Sequence, residues 1–508
     1  MSIEAPKHSA SPSDADGEAP AGPPDTAASP PDTAAGVSGR SRGSRALLAV
    51  LCLAQFMLIL DVAVVAVALP TMQRDLDISA AYLLWIGTAY SIGFGGFLVV
   101  AGRLADLLGS KVMLLTGVLV FAVGSLACGL TDTGWVLFVA RGVQGLGAAM
   151  VSPAALSILM VTFSEGAAKA RALGVWGAVS AGGGAVGQLL GGLFTGLGSW
   201  RLIFLVNVPF AVVVVWAVLR HVTERPRRAA GRADLAGAAL LTGGMILLVL
   251  TASQAAAGGY TAGVLLIGVA ALLMLAVFWL VERKVSEPIV PLELFRNRNV
   301  SLGNVICFAA SGVTLATIFF AALLMQRVMG AGSLAAGLTF APVSALITVA
   351  ALRSGALVSK FGVHTVLLIS GGLNAIGLVM LALAPADGNY LLHVAPALVV
   401  FGIGGGLGFA PAMFVASTGV EPARQGLASG LLSTSQQIGG VIALAVINLI
   451  AVRVTTASGG PDSAEALTDG FRAGFLAALV LPAIVAVAVL ALRRTPAAPM
   501  APAEQSAP

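Results

Sequence analysis

Asp61 and Arg141 are charged residues inside long apolar stretches, where a charge is energetically unfavourable. A charged side chain at the centre of a membrane helix costs about 2.5–3.5 kcal/mol on insertion scales. Each residue lies roughly 10 Å from the end of its stretch, at about 1.5 Å per helical residue. Because the two charges are opposite and lie at one depth, we expect both to face a common cavity.

The chemistry that this pair predicts is proton transfer. Burial disfavours an ionised carboxylate, whereas a neighbouring guanidinium favours it. If Asp61 meets water and Arg141 in turn, it would take up a proton and release it. Two plainer interpretations stay open: a static ion pair, or an Arg141 side chain that extends to the membrane surface. Arg353, the third charge inside an apolar stretch, lies near enough to one end for that extension.

A second group of polar residues forms the strip GRLADLLGSK, which separates two apolar stretches. Its acid and its arginine can pair with neighbouring helix ends, and glycine allows a tight turn. A weaker copy, GALVSKFG at 355–362, separates two further stretches. The recurrence predicts a latch that closes one side of the protein, with an ordinary basic loop as the alternative. The predicted gate residues are Gly102, Arg103, Asp106, Gly109 and Lys111.

The elements that must position these residues are membrane helices. Hydrophobic residues make up 58% of the 508-residue chain and charged residues 10%, whereas soluble proteins carry about 25% charged residues. A crossing helix needs about 20 mostly apolar residues. We predict an all-α membrane protein with fourteen spans, at 46–68, 80–101, 112–130, 135–160, 172–194, 202–219, 235–254, 261–281, 300–325, 334–358, 363–384, 391–416, 427–451 and 473–492.

The basic residues predict the orientation of the spans. Of 28 Lys and Arg residues, only five follow odd-numbered spans, and 21 lie in the two tails or after even-numbered spans. Basic loops mark the cytoplasmic side of a membrane. Both termini are therefore predicted to be cytoplasmic.

The polar strips, GLG segments and acid–base loops recur in the same order, which predicts two related halves. Such repeats in a helical membrane protein indicate a transporter with its site between the halves. The first residues are rich in Pro, Ala, Ser and Gly and are predicted to be disordered. The predicted organisation is a cytoplasmic tail (1–45), a six-helix bundle (46–219), a basic loop (220–234), two extra helices (235–281), a loop (282–299), a second six-helix bundle (300–492) and a tail (493–508).

Uncharged residues inside the spans are candidates for packing and binding. Gly183, Gly187 and Gly191 recur every four residues on one face of the fifth span, as in closely packed membrane helices. A sliding surface between the halves is the sharper interpretation of that stripe. The candidates for a mostly apolar substrate cavity are Gln55, Tyr90, Gln144, Gln188 and Gln326. No phosphate-binding loop or metal-ligand spacing occurs, so we predict no catalytic residue, cofactor, metal or nucleic-acid partner.

Several of these motifs resemble those of the major facilitator superfamily, most closely its fourteen-helix drug:proton antiporter branch. The strip at 102–111 resembles the loop after the second helix, and RGVQGLGAAMVSPA at 141–154 resembles the fourth-helix motif. LDVAVVAVALP at 60–70 resembles the first-helix motif of the branch. The fifth span is similar to the antiporter motif that separates exporters from importers, although Gln188 stands where that motif usually has proline. The matching residues are Gly174, Gly183, Gly187, Gln188, Gly191 and Gly192.

The resemblance implies a major-facilitator fold, with two six-helix bundles and two additional helices between them. It assigns proton coupling to Asp61 and Arg141. It implies a multi-pass protein of the cell membrane that expels amphipathic drugs or an antibiotic-like natural product in exchange for protons. An importer of a small metabolite is the alternative, and a membrane protein that transports nothing is a third. We expect a monomeric transporter, not an enzyme, whose partners are an amphipathic substrate, protons and the lipid bilayer.

Overall fold

A computed structural model describes residues 33–83, 85–163, 166–196, 199–222, 234–259, 261–285, 288–330, 333–386, 388–460 and 463–493. Within these residues the regular structure is helical, and no strand occurs. The helices are α1 (Thr33–Asp75), α2 (Ala80–Leu83), α3 (Trp85–Leu108), α4 (Ser110–Leu130), α5 (Gly134–Thr162), α6 (Gly166–Gly196), α7 (Arg201–Leu205), α8 (Asn207–His221), α9 (Leu235–Gly258), α10 (Ala262–Glu282), α11 (Arg298–Leu323), α12 (Ser333–Phe361), α13 (Val363–Ala382), α14 (Ala395–Ala416), α15 (Gln425–Ala457), α16 (Ala464–Ala478) and α17 (Val480–Arg493). Single π-helical turns lie at Leu324–Val328 and Tyr390–Val394, and 3-10 turns at Leu292–Arg296 and Pro422–Arg424.

Thirteen segments of the described residues are helical, long and apolar enough to cross a membrane. Two of them are helix pairs, α7 with α8 and α16 with α17. The glycine-rich α6 is not among the thirteen, but its 31 residues exceed the ~20 that a crossing needs. The predicted helical class is confirmed, and each of the fourteen predicted spans falls on helix.

Proline explains the two helix pairs. Proline has no N–H and cannot bond to the carbonyl four residues earlier. Pro209 therefore cannot donate to Leu205, so α7 ends there and α8 begins at Asn207. Pro482 has the same relation to Ala478, the last residue of α16. The first break matters for the site, because it places the side chain of Asn207 in the interior, with none of its surface exposed.

The first helix begins earlier than the sequence analysis expected. Residues 33–45, assigned there to a disordered tail, form the first turns of α1. No proline lies between Pro31 and Pro70, so nothing interrupts helical hydrogen bonds in that interval. The rest of that tail (1–32), residues 494–508 and loop residues 223–233 lie outside the described residues.

Residues from Ser44 to Arg493 belong to one compact unit. Its two six-helix halves meet where α3 packs against α15 and where α6 packs against α12. The additional helices α9 and α10 pack against each other, and α9 also packs against α3. We call the side that holds Ser44, Gly109, Gly362 and Arg493 the termini face, and the opposite side the distal face.

Candidate functional site

The two intramembrane charges of the first half form a buried ion pair. Arg141 Nη1 lies 2.6 Å from Asp61 Oδ2. Asp61 has none of its surface exposed and Arg141 only 2%. The helices α1 and α5 carry them, so the pair joins two helices of one bundle. A buried pair of this kind is held only if further hydrogen bonds satisfy its remaining atoms.

Two amide side chains complete the surroundings of the carboxylate. Gln144 Nε2 donates to Asp61 Oδ1 at 3.1 Å, and Asn207 Nδ2 donates to the same oxygen at 2.8 Å. Both amides also donate to Ser125 Oγ, at 2.5 and 3.3 Å. Gln144 was predicted as a substrate-cavity residue, whereas Asn207 and Ser125 were absent from the predicted site. The available signal was an asparagine inside an otherwise apolar span.

The guanidinium of Arg141 is held on every side. Its Nη1 also donates to Gln144 Oε1 at 2.9 Å, and its Nε donates to the Ile86 carbonyl at 3.2 Å. Its central carbon lies 4.4 Å from the centre of the Tyr90 ring, where a cation is attracted by the electron-rich face. These contacts fix Arg141 between α1, α3 and α5.

Glycines bring these helices close enough for the network to form. A side chain at Gly145 would collide with the backbone carbonyl of Tyr90 across the α3–α5 contact. A Cβ at Gly124 would lie 2.8 Å from Gln144 Cγ. The RGVQGLG segment therefore supplies both the polar side chains and the small residues that let α3, α4 and α5 converge on Asp61.

A cavity of about 550 Å³ lies in the distal half of the protein, beside this network. Drug-sized ligands occupy pockets of about 300–1,000 Å³. Helices α1, α3, α9, α11 and α15 contribute its apolar walls, and α5 contributes Arg141. Its polar lining residues are Thr88, Tyr90, Ser91, Arg141, Ser253 and Asn448. Asp61 is not part of the lining, so Arg141 stands between the cavity and the carboxylate.

The other cavity candidates lie elsewhere. Gln55 is buried in α1, and its Oε1 has no hydrogen-bond partner among the described residues. Gln326 is exposed in the π-helical turn Leu324–Val328 and does not line the cavity. Gln188 and Gly192 lie within α6, but the Gln188 side chain and the surroundings of Gly192 fall outside the described part of the structure. Of the predicted candidates whose side chains are described, Tyr90 is the one that lines the cavity.

The termini face is closed by the first polar strip. Asp106 Oδ1 accepts a hydrogen bond from the Gly426 N–H at 2.7 Å, and Oδ2 accepts one from the Leu427 N–H at 2.8 Å. These amides begin α15, and a helix N-terminus attracts a carboxylate. At Gly102, an added Cβ would lie 2.6 Å from the Gly426 carbonyl oxygen. The strip thus joins the first half directly to the second.

The remaining strip residues shape this contact. Gly109 has a φ of 100°, a left-handed conformation that suits glycine, and α4 begins directly after it. Lys111 Nζ donates to the Val222 carbonyl at the end of α8, at 2.6 Å. Arg103 is half-buried beside Asp234, which caps α9 by accepting a hydrogen bond from the Gly237 N–H at 2.9 Å.

A second contact closes the termini face on the other side. A Cβ at Gly355, in the weaker strip, would lie 3.1 Å from the Ala170 carbonyl group of α6. Lys169, which directly precedes Ala170 in α6, is 4% exposed. Its Nζ donates to the Ser417 carbonyl at the end of α14, at 3.3 Å. Lys169 precedes the predicted span 172–194, and burial lowers the pKa of its ammonium to about 8.

The glycines of α6 contact two different partners. Cβ atoms at Gly183 and Gly187 would meet Ile59 and Ala63 of α1, within the same half. A Cβ at Gly174 would lie 2.9 Å from the Ala351 carbonyl of α12, across the boundary between the halves. Gly191 is buried. The stripe residues Gly183 and Gly187 thus pack within one bundle, whereas Gly174, on the opposite face of α6, lies at an interface between the halves.

Two related helical bundles, a cavity between them and one closed face define a membrane transporter of the alternating-access class. More particularly, the chain belongs to the Major Facilitator Superfamily, whose family model matches residues 51–444.

Relatives with named activities cover most of the chain. The cephamycin export protein of Amycolatopsis lactamdurans is 36% identical over 87% of this chain and 91% of its own length. The puromycin resistance protein of Streptomyces alboniger is 34% identical over 88% of this chain and 89% of its own. The multidrug resistance protein Stp of Mycobacterium tuberculosis is 35% identical over 84% of this chain and 79% of its own.

Solved structures share the fold at low sequence identity. The human organic anion transporter MFSD10 superimposes with a TM-score of 0.61 at 14% identity, covering 86% of this chain and 99% of its own. The proton:xylose symporter XylE gives 0.61 at 13% identity, covering 90% of this chain and 97% of its own. These likenesses concern the arrangement of helices alone.

Proposed function

We propose that this protein expels amphipathic, drug-like molecules across the cell membrane in exchange for protons. The observation that carries the proposal is the buried Asp61–Arg141 pair, whose arginine forms part of the wall of a drug-sized cavity. Export and resistance are named for relatives at 34–36% identity. Because basic loops favour the cytoplasm, we assign the termini face to it, so the described state is closed to the cytoplasm.

The proton would enter by way of Arg141. Asp61 has no exposed surface in the described state, so water reaches it only after Arg141 moves aside. A protonated Asp61 no longer attracts the guanidinium, and the freed Arg141 already borders the cavity. Protonation of Asp61 would therefore change the charge that the cavity wall presents, through the side chain of Arg141.

Closure and opening of the termini face would complete the cycle. In the described state Asp106 and Lys169 both join the halves at that face. Release of these contacts would open the cavity to the cytoplasm, where the molecule to be expelled would enter. We propose a monomer as the working unit, because the two halves of one chain suffice to form the cavity between them.

The test is accumulation of ethidium, an amphipathic fluorescent dye, in inside-out vesicles with an acidic lumen. An exporter that exchanges dye for protons accumulates ethidium, and Asp61→Asn abolishes the dependence on the pH gradient. The matched control is Asp132→Asn, because Asp132 is an exposed carboxylate whose partner, Arg201, lies 2.6 Å away on the surface. That variant should transport as the unmodified chain does.

The same vesicles separate the alternatives. A symporter driven by an acidic lumen would move its substrate out of the vesicle together with protons, so ethidium would not accumulate. Accumulation that survives Asp61→Asn with unchanged pH dependence would remove Asp61 from the coupling mechanism.

A further inference from the structure

We propose that the additional helix α9 forms a wall of the transport cavity and that Ala252 and Ser253 contact the transported molecule. This rests on the proposed function and extends it to the two helices that lie between the halves. Four residues of α9 line the cavity: Val249, Ala252, Ser253 and Ala255. Among the described residues, α10 contributes nothing to that lining.

Near the termini face, α9 closes the crevice between the two halves. Leu241 and Met245 of α9 belong to one apolar cluster with Val99 of α3 and Leu427 of α15. The helix therefore contacts one element from each half. In a bundle without α9, the crevice between α3 and α15 would face lipid.

Towards the distal face, α9 stays with α3 while α15 lies farther away. The pair Gly95-Gly96 of α3 allows the close approach, because a Cβ at Gly96 would lie 2.8 Å from Ile246 Cγ1 and one at Gly95 would lie 3.3 Å from Val249 Cγ2. One turn further along, the Thr88 and Ser253 hydroxyls form a hydrogen bond of 2.5 Å. The cavity occupies the space that remains between this α3–α9 pair and α15.

The two additional helices are therefore not equivalent. The outer helix, α10, presents large apolar side chains to the surroundings, with Leu266 71% exposed and Leu272 62% exposed. The inner helix, α9, presents small residues and one hydroxyl to the cavity. We infer that α10 meets lipid, whereas α9 meets the transported molecule.

The lining identifies the chemistry of that molecule. Apolar side chains such as Val65, Leu315 and Phe319 make up most of the surface, and hydroxyl and amide groups are spread over α3, α9 and α15. Such a lining suits a molecule with an apolar body and a few hydrogen-bonding groups. On α9, Ser253 would supply a hydrogen bond and Ala252 the space for the apolar body.

The position of α9 is tested by thiol labelling in lipid vesicles with a charged, membrane-impermeant maleimide. Native Cys52, Cys128 and Cys307 are all buried, so the unmodified chain sets the background. We expect Ala252→Cys to react at least about tenfold faster than Leu272→Cys, since a thiol in hydrocarbon forms no reactive thiolate. Equal, slow reaction of both variants would overturn the proposal.

Contact with the ligand is tested by repeating the labelling with ethidium present. Ethidium should slow the reaction of Ala252→Cys, and Ala252→Phe should reduce ethidium export while Leu272→Phe leaves it unchanged. If ethidium is exported but neither slows labelling nor responds to Ala252→Phe, α9 does not contact it and the proposal fails. If ethidium is not exported at all, the proposed function fails for this dye, while the labelling rates still decide whether α9 borders an aqueous cavity.

Discussion

The two halves of this transporter have the same order of helices but hold different chemistry at equivalent places. In the first half, α1, α4 and α5 surround Asp61 and Arg141. Their counterparts α11, α13 and α14 surround a cavity of about 110 Å³, whose polar lining includes Thr314, Ser370 and Asn374 and no charged residue. The cavity of the second half thus lacks a counterpart of the Asp61–Arg141 pair, so the equivalent places in the two halves differ in their ionisable groups.

The strips at the termini face differ in the same way. Ser359 follows Gly355 by four residues, as Asp106 follows Gly102. Asp106 accepts hydrogen bonds from the other half, whereas Ser359 Oγ donates to the Gly355 carbonyl of its own helix, at 3.0 Å. One contact between the halves therefore depends on a carboxylate, and the other depends on packing and on a lysine from the opposite helix.

The largest expected effect is a difference in stability between two variants, one in the interior of each half. Arg141→Met should lower the free energy of unfolding by about 3–5 kcal/mol, because it leaves Asp61 buried without its counter-ion. Asn374→Leu in the second half should be nearly neutral, since it removes a buried oxygen that has no partner among the described residues. Thermal unfolding in detergent measures both.

A control sharpens this first comparison. Asp61→Asn combined with Arg141→Met should recover part of the stability that Arg141→Met loses, because no charge remains unpaired. Equal losses from Arg141→Met and Asn374→Leu would show that the two interiors do not differ as described.

A smaller effect should distinguish the glycines of the two strips. Gly102→Ala places a methyl group 2.6 Å from the Gly426 carbonyl oxygen, whereas Gly355→Ala meets the Ala170 carbonyl group at 3.1 Å. Overpacking costs about 1–3 kcal/mol, so Gly102→Ala should open the termini face more than Gly355→Ala. Labelling of a cysteine introduced on that face reports the opening, and the reverse order would contradict the packing described.

The lysine of the second contact should make closure depend on pH. Burial lowers the pKa of Lys169 to about 8 in the closed state, and exposure on opening would restore its usual value of 10.5. The open state therefore binds the proton more tightly, so closure is favoured as the pH rises from about 8 towards 10.5. Between pH 7 and 9 the closed-to-open ratio should rise about tenfold, as measured by cysteine labelling at the termini face. Lys169→Met should remove this rise, and a rise that persists in the variant would assign it to another group.

The smallest expected effect concerns the carboxylate of the first strip. Asp106→Asn keeps one acceptor oxygen but removes the negative charge from the start of α15, which is worth about 0.3–1 kcal/mol. Ser359→Ala, at the equivalent place, breaks only a bond within its own helix and should leave the termini face closed. Spectroscopic distances between labels on α3 and α15 measure the difference. Equal opening in both variants would mean that the charge plays no part.

Much of the fold could be predicted from the sequence, because apolar length alone identifies a membrane helix. Helix rise and charge cost predicted that Asp61 and Arg141 share a cavity; the structure pairs them, but of the two only Arg141 lines the cavity. The partners Asn207 and Ser125 were not predictable in this way, since single neutral polar residues are tolerated in many spans. Their roles depend on the break before Pro209 and on the approach of α4 to α5.

The role of α9 was also beyond the sequence. Its hydropathy marks a membrane helix, but hydropathy does not tell a helix that faces lipid from one that faces a cavity. The contacts of Ile246 and Ser253 with α3 and the cavity lining distinguish it from α10. Gln326 illustrates the same limit, because its polarity suggested the cavity and its position on the π-helical turn Leu324–Val328 places it outside.

Arg141 belongs both to the ion pair and to the wall of the cavity. If a proton neutralised Asp61, this wall would gain an uncompensated positive charge within reach of the transported molecule. A cationic molecule would then be repelled and an anionic one attracted, since a charge in the cavity wall acts on groups a few ångströms away. Arg141 would thus make the cavity selective for the sign of the charge on the transported molecule.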